Sequence, residues 1–486
     1  LKQRFYSFIP DHSAMKSINR RQLLQSTTLG SVALSGMLQA EETRSTSPIS
    51  ASRSPLSAHA PHFLAKAKRI IQIFMNGGPS QMDTWYPKPE LNRLSGEELP
   101  DSFKQQLQPT QRNRAGTLFG SPFEFKPRGE SGLPISELFP NLADHADQLC
   151  MIHSMQGEVS NHTPGLLLTN CGHSTLSRPA LGSWLLYGLG SESEDLPGFV
   201  VLCPGGLPTA QSRNWTSSFM PGIYQGTHID TATRGKQLVP NLTRPDLRRG
   251  LQRAQVDLVQ DFNQWHLEDR PGNRLESQIH SMELAFRMQT AGTDVFDLSQ
   301  EPQHVRDLYG DSIQGKNLLI ARRLAQQGVR FIQCYHGQGQ PWDHHGSIVQ
   351  NLKRLCGQAD QPIAALLTDL KQQGMLEDTL VICGGEMGRT PTVQKAANPS
   401  RVGRDHHIDG YTIWMAGGGV RGGMSYGATD ELAMGITENP VPMHDLHATV
   451  LHLMGLDHKS LTFRHSSRDY RLTDVHGRVI NELIQA

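Results

Sequence analysis

The chain has no excess of positive charge: 46 Lys and Arg stand against 46 Asp and Glu in 486 residues, a formal net charge of zero. Without a basic surplus to neutralise phosphates, the composition argues against a nucleic-acid partner. No run of 18 or more apolar residues occurs, which argues against a membrane-spanning helix. Cysteine is scarce, with six residues and no Cys-x-x-Cys pair, so a disulfide framework or a thiolate zinc site is not indicated. The length suffices for a sizeable core, in one large α/β domain or about three smaller ones. What the chain does have is histidine: 22, more than Tyr (9) and Trp (6) together.

The N-terminal stretch reads as an address. From Met15, a plausible start, the text runs through Lys16, Arg20 and Arg21 to Leu23-Leu24, then a weakly apolar segment Leu29–Leu38, then Ala40. A basic region, a short apolar region and a small residue make an export signal, and the paired arginines before a weak apolar core fit the twin-arginine type. Residues 1–40 are therefore expected to be an export signal that delivers the protein to the periplasm or cell surface. Residues 41–66, rich in Ser and Pro, are expected to be a linker. Residues 67–486 then form the domain.

Short apolar runs at Arg69–Met75, Leu149–His153, Gly198–Cys203, Val329–Tyr335, Thr379–Cys383 and Tyr411–Ala416 mostly end at Gly or a polar cluster. Such runs predict buried strands of a mostly parallel sheet. Helical apolar spacing marks Lys316–Gln327, Ile363–Gln373 and His444–Met454 between them. The alternation predicts a doubly wound, three-layer α/β/α fold. The charged stretch near 245–290 shows helical but no strand patterning and is expected to be a helical insertion.

Acids and histidines gather where these strands end. Asp83 follows the turn Asn76-Gly77-Gly78-Pro79, and Trp342-Asp343-His344-His345 follows the strand ending at Tyr335. Gly384-Gly385-Glu386-Met387-Gly388-Arg389 follows another, and Arg404-Asp405-His406-His407 leads into the last. Ligands of open α/β sheets bind outside the carboxyl ends of strands. A mixed Asp/Glu/His set without Cys suits hard or borderline divalent ions: Zn, Mn, Mg, Fe or Ca.

This order of motifs resembles the alkaline phosphatase-like superfamily of phosphatases, sulfatases and phosphodiesterases. The fuller text, GGPSQMDTWYPKP, WDHHG, GGEMGRTP, GRDHH with YTIWMAGGG, and HDLHATVLHLMGLDH, is similar to its exported sulfatase-like branch called domain of unknown function 1501. The resemblance runs from about residue 68 to 480 and implies an alkaline phosphatase-like fold. It implies that Asp83 and Glu386 ligate one metal, and that Asp343, His345 and one of His406 or His407 ligate a second. Met387 stands where the superfamily usually has His, which leaves open a single ion, or His344 or Asp405 as a substitute ligand. The resemblance places the nucleophile in Ser160-Asn161-His162-Thr163-Pro164, where Thr163 would cap a helix; Ser160 is the other hydroxyl. His162 is open between ligand, general acid and cap neighbour, and Arg389 between an anion-holding fork and a salt-bridge partner. The formylglycine pattern Cys-x-Pro-x-Arg is absent at all six cysteines. His444 is a candidate for a supporting or substrate-contacting role; His447 and His452 read as structural.

The expected function is an exported hydrolase of phosphate or sulfate esters, on a small-molecule or polysaccharide substrate, using one or two divalent ions. The alternative is a cell-surface or periplasmic binding protein that keeps the fold without catalysis.

Overall fold

In strand β1 (Arg69–Phe74), Ile70 and Phe74 point to one side and Ile71 and Ile73 to the other, all of them buried. A strand apolar on both faces must lie inside a sheet covered on both sides, as period-two alternation requires. A computed structural model describes residues 55–232, 248–269, 273–395 and 401–485. The export signal expected at 1–40 lies outside the described residues, as does the first part of the linker. Ser54–Ala486 forms one unit.

After β1 come a one-turn helix α1 (Gln81–Thr84), β2 (Cys150–Gln156), α2 (His162–Cys171), α3 (Leu181–Leu189), β3 (Phe199–Leu202) and β4 (Thr227–Ile229). The helical pair α4 (Arg249–Asp269) and α5 (Asn273–Phe296) follows, then α6 (Ile313–Gln326), β5 (Phe331–Tyr335), α7 (Ile348–Gln372) and β6 (Thr379–Gly384). A two-residue ribbon, β7 (Gly388–Arg389) and β8 (His406–His407), precedes β9 (Asp409–Ala416), β10 (Met424–Tyr426), β11 (Val441–Pro442) and α8 (Met443–Leu453). The six strands expected from the apolar runs are all present. The expected insertion is the α4–α5 pair.

The nine-stranded sheet has the order β10-β2-β9-β6-β1-β5-β3-β4, with β11 also paired to β2. Its pairs are parallel except those of β9, which runs against both β2 and β6. One core joins Ile70 and Phe74 to α2, α3 and α8; the other joins Ile71 and Ile73 to α6 and α7. The architecture is thus three-layered and α/β. The reversal of β9 has a consequence for the site. The chain enters β9 at the edge where the parallel strands leave, so His406 and His407 reach the carboxyl ends without a long approach.

The described end of the linker stretch is laid against the domain: Ser191 N–H bonds Leu56 O, His59 N–H bonds Leu189 O, and His62 N–H bonds Gly455 O. No helix among the described residues is long and apolar enough to cross a membrane.

Candidate metal centre

The turn after β1 decides what can approach what. Gly77 has φ +116°, and a Cβ there would lie 2.6 Å from Asp343 N. Glycine is needed both for the backbone conformation and for the closeness of the two segments. Gly403 is equally tight, a Cβ there falling 2.1 Å from His345 C. These contacts bring the loop after β5 against the turn after β1 and the approach to β8. Gly77→Ala is accordingly expected to cost at least about 2 kcal/mol of stability, read as a lowered urea midpoint, because strain and overlap act together.

Asp343, His345, His406 and His162 converge there. One ligand atom from each lies within 4.8 Å of every other. His345 Nε2 is 2.9 Å and His406 Nε2 3.2 Å from Asp343 Oδ1, and these two ring nitrogens are 3.0 Å apart. His162 Nε2 is 3.3 Å from Asp343 Oδ2, yet is buried without a hydrogen-bond partner. His345, its side chain 36% exposed, is the most exposed of the four and forms the open side of the group.

The outward ring nitrogens settle the chemistry. His406 Nδ1 donates to Ser160 O at 2.8 Å, His162 Nδ1 to Glu386 Oε1 at 2.7 Å, and His345 Nδ1 faces Gln394 Oε1. Each partner is an oxygen acceptor, which assigns the proton to Nδ1 and turns the Nε2 lone pair inward. Three lone pairs and a carboxylate that point at one another repel unless a cation or a proton stands among them. Outer partners of this kind are how metal-ligating histidines are oriented. The donor set therefore fits a divalent ion.

The local electrostatics show how strongly the carboxylates here draw a positive charge, a proton where no ion stands. Burial works against charge on His162, but the Asp343 and Glu386 carboxylates outweigh it and lift the ring to about 9. Burial would raise the Asp343 carboxyl; the three imidazoles and Arg389 prevail and hold it well below the usual carboxylate range.

The other expected residues are placed differently. Asp83 is 1% exposed, and its oxygens accept from Arg404 Nε (2.8 Å), Arg404 Nη2 (3.1 Å) and Ser80 Oγ (2.6 Å). It is outside the four-residue cluster because a fixed guanidinium already holds it. Glu386 is also outside: it takes the Gly77 N–H on both oxygens, at 3.0 and 3.1 Å, besides the His162 ring. His407, next to His406 on β8 but on the opposite face, donates Nε2–H to Met434 O at 2.7 Å, and burial lowers its basicity. His344 is buried outside the cluster and lowered to about 4, chiefly by burial. Asp405 Oδ1 accepts its neighbour's His406 N–H at 2.8 Å and stands behind His345.

Arg389 takes the salt-bridge alternative. It is fully buried and donates to four carbonyls, those of Gly77, Gly78, Trp342 and Arg404, and to Asp343 Oδ1 at 2.7 Å. On α2 the N-cap is Asn161, not Thr163 as expected: the Asn161 side chain accepts from Thr163 N at 3.3 Å. Asn is as good a cap as Thr, and its position two residues earlier leaves Thr163 inside the first turn with its hydroxyl unengaged. Ser160 Oγ donates to Gln108 Oε1 at 2.6 Å, so this hydroxyl is committed. His444 and His447 donate to Gly172 O and Thr169 O, which ties α8 to the end of α2.

Two residues that matter here carried no local signal. Arg404 meets a carboxylate 321 residues away, and Gln394 positions a ring 49 residues away. Only the fold joins them.

Several solved structures are similar to this chain at low identity. A protein of the alkaline phosphatase superfamily from Vibrio parahaemolyticus is 12% identical over 88% of this chain and 76% of that one, with a TM-score of 0.36. The PsFucS1 sulfatase from Pseudoalteromonas sp. is 11% identical over 87% and 70%, with a TM-score of 0.34. The phosphonate monoester hydrolase SpPMH from Silicibacter pomeroyi is 12% identical over 72% of each chain, with a TM-score of 0.32. No curated protein matches in sequence. The family described as protein of unknown function (DUF1501) matches residues 67–484, a span that contains all four residues of the cluster, and the chain belongs to that family.

Proposed function

We propose that this chain is an exported, metal-dependent hydrolase of phosphate or sulfate esters. The observation that carries the reading is the inward set of three imidazole Nε2 atoms around Asp343, each ring pinned from behind by an oxygen acceptor. His162, His345, His406 and Asp343 would hold the ion. A divalent cation so placed supplies Lewis acidity and offsets charge on the ester oxygens.

The remaining work falls to the chain. Thr163 presents a hydroxyl in the first turn of α2, where the helix dipole favours an anionic tetrahedral group. Its Oγ1 forms the new bond to phosphorus or sulfur as the bond to the ester oxygen breaks, the hydroxyl proton leaving with the departing alcohol, and water then releases phosphate or sulfate and restores the hydroxyl. Arg389 holds Asp343 in place rather than the substrate. Glu386 fixes the His162 ring. The order of the motifs, which resembles that of ester hydrolases, supports the same class.

The second reading, a binding protein, draws on one observation: both buried arginines near the site, Arg389 and Arg404, are locked in ion pairs, which leaves neither fork for an anion. Metal-loaded protein assayed on aryl phosphate and aryl sulfate esters separates the two. Turnover is expected, and Thr163→Ala is expected to lower kcat/KM at least about 10³-fold with metal content unchanged. Bound metal without turnover of either ester would favour the binder. Turnover that Thr163→Ala leaves intact would shift the attack to water.

A further inference from the structure

The second ion that the resemblance implies would use Asp83 and Glu386, and both are committed to the protein. Asp83 faces a guanidinium across a contact with no exposure on the arginine side and 1% on its own. A guanidinium cannot lose its proton near neutral pH, so a second cation at Asp83 would meet a fixed like charge away from water. Glu386 accepts from Gly77 and His162. Met387, next to Glu386, packs its side chain against Gly78 and Gly165, and that side chain brings no nitrogen or oxygen.

We infer that this chain binds one divalent ion, of the borderline class typified by zinc, at His162, Asp343, His345 and His406, with Arg404 as the counter-charge of Asp83 and Glu386 as a positioning residue for His162. The inference rests on the metal-dependent reading above. Three imidazoles to one carboxylate favour a borderline ion, since calcium and magnesium take oxygen-rich shells. The carboxylate behind His162 keeps its Nε2 turned inward, as outer partners of metal-bound histidines do.

The test is a count. Chelator-stripped protein is titrated with Zn²⁺, and the bound metal is measured by elemental analysis after gel filtration. One equivalent is expected, with no displacement by millimolar Ca²⁺ or Mg²⁺. Zero equivalents at micromolar free zinc would remove the metal-dependent reading itself. Two tight equivalents would leave that reading standing and overturn this inference, and displacement by Ca²⁺ would overturn the ion class. Glu386→Gln should keep one equivalent with about 10- to 100-fold weaker affinity; unchanged affinity would overturn its positioning role. Asp83→Asn should hold zinc within about threefold of the native affinity, below the roughly tenfold at which outer-partner effects begin, since the Asp83 side chain bonds Arg404 and Ser80 and none of the four ligands. If that variant fails to fold, the double variant Asp83→Leu/Arg404→Met gives the same reading, and loss of zinc binding at micromolar concentration in whichever folds would make Asp83 a ligand.

Discussion

Asp343→Asn is expected to remove zinc binding at micromolar concentration and ester hydrolysis with it. Asp343 reaches all three histidines and is the only carboxylate of the cluster: Oδ1 is within 3.2 Å of His345 and His406, and Oδ2 is 3.3 Å from His162. Its charge balances the ion from inside and Arg389 from behind. An amide keeps the shape and one acceptor oxygen but gives up the charge, so metal affinity should drop by more than the roughly 10- to 100-fold cost of an outer partner. Because the carboxylate is partly exposed, the loss of its pairing with Arg389 should cost only about 1–2 kcal/mol of folding stability. His345→Asn serves as the control. His345 lies on the open side and holds no arginine, so this variant should lose metal with a smaller change in the urea midpoint. Retention of one equivalent of zinc by Asp343→Asn would mean that the ion binds elsewhere.

The sheet was readable because its strands are apolar on both faces. A run such as Val329–Tyr335 has no other stable home than the inside of a layered domain, and β5 sits there. The acids and histidines past those runs were readable for the same reason, since whatever follows a buried parallel strand emerges on one edge. What the runs do not encode is direction. Nothing in Tyr411–Ala416 says that β9 is reversed, and that reversal is what brings His406 to the group. Nor could position along the chain sort carboxylates by their partners. Asp83 and Asp343 look alike as acids beyond a strand, but one is clasped by Arg404 and the other faces three imidazoles. His162 stood open between roles until the carboxylate 224 residues away showed which of its nitrogens is turned outward. The cap on α2 fell two residues early because Asn161 and Thr163 are near-equal caps, a choice that local chemistry leaves undecided.

Arg404→Met tests the ion pair directly and should be the most destabilising single change at the site. The Arg404 guanidinium is fully buried, bonds Asp83 through two nitrogens and lies 4.5 Å over the Phe119 ring. Its removal leaves the Asp83 carboxylate in a dry interior with only the Ser80 hydroxyl, and breaking one side of a buried pair costs about 3–5 kcal/mol. Arg404→Lys should fall between, since an ammonium restores charge but neither the two-pronged contact nor the stacking. The double variant Asp83→Leu/Arg404→Met should recover most of the loss, because an apolar pair of similar volume removes both desolvation penalties at once. Urea unfolding of the native protein, Asp83→Leu, Arg404→Met and the double variant closes a double-mutant cycle, and the coupling should be large compared with the about 0.5 kcal/mol within which independent sites add. The same samples report on the metal. If the pair is a structural clasp, the double variant binds one equivalent of zinc as the native protein does, and stability and metal content separate. Should Arg404→Met instead unfold within about 1 kcal/mol of the native protein and take up a second ion, Asp83 would be a ligand in waiting, with Arg404 as its occupant.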